Sequence, residues 1–63
     1  KDAPERLRRM RYQVYKDVQG HWRWRLLAAN NRVIADSGEG YINQVDCMHA
    51  IHLVKASSAA PII

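Results

Sequence analysis

Trp22-Arg23-Trp24-Arg25-Leu26-Leu27-Ala28-Ala29-Asn30-Asn31-Arg32-Val33-Ile34-Ala35-Asp36-Ser37-Gly38-Glu39-Gly40-Tyr41 is the stretch on which the fold turns. Apolar and charged residues alternate through its first half, the period of a strand with one covered face. The strand is expected from about His21 to Ala29. Asn30-Asn31 then reads as a two-residue turn, because Asn tolerates the left-handed conformation. A further strand covers Arg32 to Ser37, and Gly38-Glu39-Gly40 breaks it. With a tight turn, Ala28 pairs with Val33, Leu27 with Ile34, Leu26 with Ala35 and Arg25 with Asp36.

Upstream, Met10, Tyr12 and Val14 alternate with Arg11, Gln13 and Tyr15, which predicts another strand. Asp17-Val18-Gln19-Gly20 follows. Asp at the first position and Gly at the fourth suit a type I turn with a bulge at Gly20. That turn pairs Val14 with Trp24 and Tyr12 with Leu26. Both hairpins then agree on one core face: Tyr12, Val14, Trp22, Trp24, Leu26, Ala28, Val33 and Ala35.

Downstream, Asn43 is placed as the N-cap of a helix from about Gln44 to Ala56. Asp46 in its first turn and Lys55 in its last both favour the helix dipole. Cys47, Met48, Ile51 and Val54 share one face, predicted to lie across the sheet beside Trp24. Ser57-Ser58-Ala59-Ala60 has linker composition. Pro61-Ile62-Ile63 is short and apolar, and a terminal strand would cover it, with Pro61 tolerated at its first residue.

Sixty-three residues allow one domain. So short a chain buries only about 60% of the surface its unfolded form exposes, and such chains lean on disulfides, metals or oligomerisation. Cys47 is the only cysteine, so an internal disulfide and a paired-cysteine zinc site are both excluded, and oligomerisation remains. No apolar run approaches the roughly 18 residues of a membrane helix. Residues 1–11 lack the apolar core of a signal peptide. A cytoplasmic protein is expected. The net charge is +4, and most of it lies in residues 1–11, where Lys1, Arg6, Arg8, Arg9 and Arg11 stand against Asp2 and Glu5. The expected organisation is a flexible basic arm over 1–9 and a single domain over 10–63.

Tyr12-Gln13-Val14-Tyr15-Lys16-Asp17, Gly20, Trp24-Arg25-Leu26, Ala28-Ala29-Asn30, Ile34-Ala35, Ser37, Glu39, Gly40-Tyr41, Ile51 and Val54 together resemble the YegP-like family of small domains of unknown function. The resemblance covers about residues 10 to 56. It implies an α+β fold built from a β-β-β-α-β unit: an antiparallel meander with one helix on one face. It further implies that two such units share a sheet and exchange their C-terminal strands. A chain with one unit is then a homodimer, and Ile62 and Ile63 belong to the exchanged strand. Asn31 departs from the family pattern, which usually has Gly there. The family supplies no catalytic residues.

Four groups of residues could carry chemistry. Arg11, Gln13, Tyr15, Arg23, Arg25, Leu27, Arg32 and Ile34 are expected on the sheet face away from the helix. Arginines contact phosphates and tyrosines stack on bases, so this face with Arg6, Arg8 and Arg9 gives a second reading as a weak nucleic-acid binder. Against it stand a nearly balanced body, an expected Arg25–Asp36 cross-strand pair and the lack of a nucleic-acid motif. His49 and His52, with Cys47, His21 and Asp46 available, fall short of a zinc site, because Cys47 points almost opposite His49. Cys47 reads as a core residue rather than a nucleophile. Gly38-Glu39-Gly40-Tyr41 lacks the Gly-Lys-Ser/Thr of a phosphate loop, and reads as a turn requiring positive φ, with Glu39 available to local backbone N–H groups. No acid, base or nucleophile set converges. The leading reading is a non-enzymatic domain acting through homodimer assembly or partner binding, with no cofactor, metal, membrane or small-molecule substrate.

Overall fold

Among the described residues, three antiparallel strands in the order β1-β2-β3 carry one helix: β1 spans Arg11–Lys16, β2 Trp22–Leu27, β3 Val33–Asp36 and α1 Gln44–Lys55. The structure is a computed structural model and describes residues 9–63. The arm expected over 1–9 lies outside the described residues except for Arg9.

The β1–β2 register is the expected one, with Val14 opposite Trp24 and Tyr12 opposite Leu26. Its turn follows from Asp17. The Gly20 N–H donates to the Asp17 carbonyl at 2.9 Å, and the Asp17 N–H donates to the His21 carbonyl at 2.8 Å. Gly20 sits at φ +84°, where a side chain is disfavoured.

The second hairpin departs from expectation. Its loop has three residues, not two. The Asn31 N–H donates to the Ala28 carbonyl at 2.9 Å, and the Ala28 N–H donates to the Arg32 carbonyl at 2.8 Å. These bonds repeat the first turn, with Asn31 at φ +70° in the place of Gly20. Asn31 can stand where the family pattern has Gly because Asn enters the left-handed region more readily than other side-chain-bearing residues. The longer loop shifts the register. Arg25 still faces Asp36 and Leu26 faces Ala35, but Leu27 faces Val33, leaving Ile34 as an extra residue in a bulge. Val33 therefore leaves the expected core face and is exposed.

Beyond β3 the chain stays on β2. The Ser37 N–H donates to the Trp24 carbonyl at 2.8 Å, and the Ser37 hydroxyl accepts from the Trp24 N–H at 3.2 Å. After an excursion through Gly38-Glu39-Gly40, Trp22 and Tyr41 exchange backbone bonds of 2.7 and 2.8 Å. Gly40 is not at positive φ, which corrects the expected reason for it. Room is the reason: a Cβ there would lie 2.6 Å from the His21 Cβ.

Trp24, Cys47 and Ile51 form the buried core, with Tyr12, Val14, Trp22, Leu26, Tyr41 and Ala50 packed around it. Tyr12 meets Trp24 edge-on, with ring centroids 5.7 Å apart. The helix packs on β2 through Cys47, Ala50 and Ile51. Met48 and Val54, expected on that face, are exposed. A helix resting on one strand and one large indole has a narrow contact stripe. Asn43 occupies the N-cap position in extended conformation, but its side chain makes no capping bond. Its carbonyl accepts from the Asp46 and Cys47 N–H groups instead.

The chain leaves α1 through a turn in which the Ser57 hydroxyl donates to the Val54 carbonyl at 2.6 Å. Residues 59–63 form no helix or strand, so the last strand of the expected unit is absent from this single chain.

Candidate interaction surface

The sheet face away from α1 holds most of the residues singled out by sequence, and the structure gives each cation a different task. Arg11, at the start of β1, reaches the loop of the second hairpin. Its guanidinium donates to the Ala28 carbonyl at 3.2 Å, to the Arg9 carbonyl at 3.3 Å and to the Asn31 side-chain oxygen. Arg11 thus ties the left-handed Asn31 to the neighbouring strand.

Arg23 pairs with Asp17, Nε to Oδ2 at 2.6 Å. The other carboxylate oxygen of Asp17 accepts the Gln19 and His21 N–H groups, both at 2.9 Å. One aspartate therefore closes the first hairpin and anchors a strand cation. The Arg23 hydrogen bond, helped by the His21 N–H, holds the Asp17 carboxyl below its ordinary value of 3.8. The Arg23 pKa is raised in turn, first by the hydrogen bond to Asp17.

A carboxyl depressed by folding binds its proton less readily folded than unfolded. Its stabilisation is present above the ordinary aspartate range and is lost as the pH falls through the folded value. Urea midpoints measured between about pH 5 and about pH 2 should drop at the acid end, and Asp17→Asn should flatten part of that drop. Parallel curves for the two proteins would refute the role given to Asp17.

Arg25 does not pair with Asp36 as expected. The two are opposite in backbone register, but the Arg25 guanidinium carbon lies 4.3 Å from the centroid of the Tyr15 ring. A cation on an aromatic face is favourable and less dependent on side-chain extension than an exposed ion pair. Arg32 also departs from expectation. It pairs with Ala28, which places it at a register position on the Trp24 side and not with Arg23 and Arg25. On that side Lys16 Nζ lies 5.3 Å from the Trp22 ring centroid.

The remaining candidates do not converge. Cys47 is wholly buried, and burial pushes its thiol pKa up, away from a reactive thiolate. His49 and His52 are exposed and line a shallow groove with Gln44, Val45 and Met48, on the far side of α1 from Cys47. Among the described residues no three His, Cys, Asp or Glu side chains gather as a metal site would require. Among the described residues Glu39 finds no backbone hydrogen-bond partner, which departs from the expected reading of its loop. Among the described residues no helix is long and apolar enough to cross a membrane.

Sequence reading places Ser37 in a strand and Gly40 in a turn but does not give Ser37 its bonds to Trp24 or Gly40 its close approach to His21. The signal for both is the Gly38-Glu39-Gly40 break, which reads as an exit from the sheet although the chain returns to β2 beyond it.

Known proteins place this architecture. The sequence pattern described as "Domain of unknown function (DUF1508)" matches residues 17–63. The chain is 49% identical over 51 residues to the UPF0339 protein NMB1088 of Neisseria meningitidis, covering 81% of this chain and 89% of that protein. It is 35% identical over 49 residues to the UPF0339 protein Atu0232 of Agrobacterium fabrum, covering 78% and 77%. An NMR solution structure of a protein from Haloferax volcanii superposes with a TM-score of 0.79 at 31% identity, covering 87% of this chain and 92% of that one. On the strength of that match and of relatives that span most of its length, the chain belongs to the YegP-like family, the domain of unknown function DUF1508.

Proposed function

We propose that this chain is an assembly module: a homodimer whose two copies share one sheet and exchange their C-terminal segments, with no reaction of its own. One observation carries the reading. Ile62 and Ile63 are 102% and 114% exposed, as open to water as in an unfolded chain. Covering an isoleucine side chain stabilises by about 1.5–3 kcal/mol, and a dimer covers both tails at once. The small core of the single copy supplies the need for such help.

Sedimentation equilibrium tests the proposal. The full chain should sediment as a dimer at micromolar concentration. Deleting Pro61 to Ile63 should weaken the dimer at least about 100-fold, the effect of roughly 3 kcal/mol of lost burial. A stable folded monomer of the full chain would overturn the reading.

The nucleic-acid reading has less support. Arg11 and Arg23 are held by hydrogen bonds within the fold, and the Tyr15 ring that would stack on a base is covered by Arg25.

A further inference from the structure

We propose that Met48, His49 and His52, on the solvent side of α1, form a binding site for copper(I); the site stands whether or not two copies assemble. Helical spacing carries the first step. Met48 and His52 are four residues apart, and His49 and His52 are three apart. Side chains at those spacings are neighbours on a helix surface, with Cβ atoms about 5–6 Å from each other. His52 is therefore flanked by both other donors. Gln44 and Val45 continue the same row one turn earlier, and together these residues line one groove. The fold holds the groove in place: Cys47 and Ile51, on the covered side of α1, are buried with Trp24 and fix the helix on β2.

The donors decide the ion. Among the described residues no third His, Cys, Asp or Glu joins the two histidines. The third donor is the Met48 thioether, a soft and uncharged sulfur. Thioether and imidazole together suit copper(I). Magnesium and calcium need oxygen ligands, and structural zinc takes thiolates and imidazoles in a closed tetrahedral set. An uncharged ligand set also fits a singly charged ion better than a doubly charged one, the more so on a chain of net charge +4. Met48 is 39% exposed, and among the described residues no hydrogen bond or ion pair engages either imidazole, so all three donors are open to an ion from solvent. Cys47, the stronger copper ligand by its chemistry, is wholly buried, and burial pushes its thiol away from the thiolate that binds metals. Val45 gives the groove an apolar wall.

Two titrations of the full chain test the site. Silver(I), soft and singly charged like copper(I) and stable in air, is the probe for NMR. One equivalent should shift the Met48 methyl and the ring protons of His49 and His52, and leave Met10 and His21 unmoved. Shifts centred on Cys47, or spread over Met10 and His21, would overturn the assignment, the first by giving the ion to the thiol and the second by showing unselective binding. Copper(I) itself, kept reduced without oxygen and competed against a colorimetric chelator, gives the affinity. Met48→Leu and His52→Gln should each weaken copper(I) binding at least about 10-fold. Zinc(II) should bind more weakly than copper(I), with no change on Met48→Leu. All three donor positions are exposed, so these substitutions leave the core intact. Copper(I) affinity unchanged by Met48→Leu would refute the thioether as a ligand and with it the site. So would the absence of any copper(I) uptake against the chelator.

Discussion

Trp24→Ala should leave the domain without a cooperative unfolding transition. Trp24 is 6% exposed, lies under α1 against Cys47 and Ile51, and takes the edge of Tyr12. Removing a buried Trp side chain costs about 3–5 kcal/mol. Whole domains hold only about 5–15 kcal/mol, and one this small sits at the low end. Urea titration followed by Trp22 fluorescence would measure the loss. A cost below about 1 kcal/mol would refute the view that one indole organises this core. Trp24→Phe gives the complementary test. The Trp24 Nε1 is buried with no hydrogen-bond partner among the described residues. An unpaired buried N–H costs about 1–3 kcal/mol, so its removal offsets part of the lost ring volume. Trp24→Phe should therefore be tolerated far better than the alanine variant.

Gly40→Ala should destabilise by about 1–3 kcal/mol, the usual cost of forcing an extra carbon into a filled space. The added Cβ would stand 2.6 Å from the His21 Cβ and 3.1 Å from its Cγ. The nearest obstacle is the base of a side chain, which a rotamer change cannot move. Relief requires the Trp22–Tyr41 bridge to open, with its two short backbone bonds. Gly38→Ala, in the same loop, meets nothing within 4 Å and needs no positive φ, so it should be neutral or slightly stabilising. Thermal melts of the two variants separate the causes. Equal destabilisation would mean that loop flexibility, not contact with His21, selects glycine at position 40.

The candidate face shows how far side-chain chemistry can be read from alternation alone. Placing Arg11, Arg23 and Arg25 together on the outer face needed only period two, and β1 and β2 place them there. What each guanidinium does depended on distances across strands and turns. Arg23 lies six residues from Asp17 and meets it because the first hairpin folds the turn back on β2. Arg25 has Asp36 opposite, yet settles on Tyr15, a diagonal neighbour one strand away. Arg32 left the face because a loop one residue longer than expected moved it to the other side of the sheet.

The meander, the first hairpin's register, the helix from Gln44 and the place of Trp24 at the centre were all legible in the order of residues alone. Each rests on local rules: alternation, a turn chemistry of Asp and Gly, and a helical spacing of Cys47 and Ile51. The second hairpin's register, the width of the helix contact and the reason for Gly40 emerge only once the elements pack. The physical cause is common to all three. Asn31 can take the left-handed conformation in a two- or a three-residue loop, and only the ladder against β2 with the Arg11 bonds to Ala28 and Asn31 selects the longer one. A helical face is broader than the single indole it finds, so packing chooses which apolar residues are covered. A glycine is silent about whether it serves φ or space until the residue facing it, here His21, is in position.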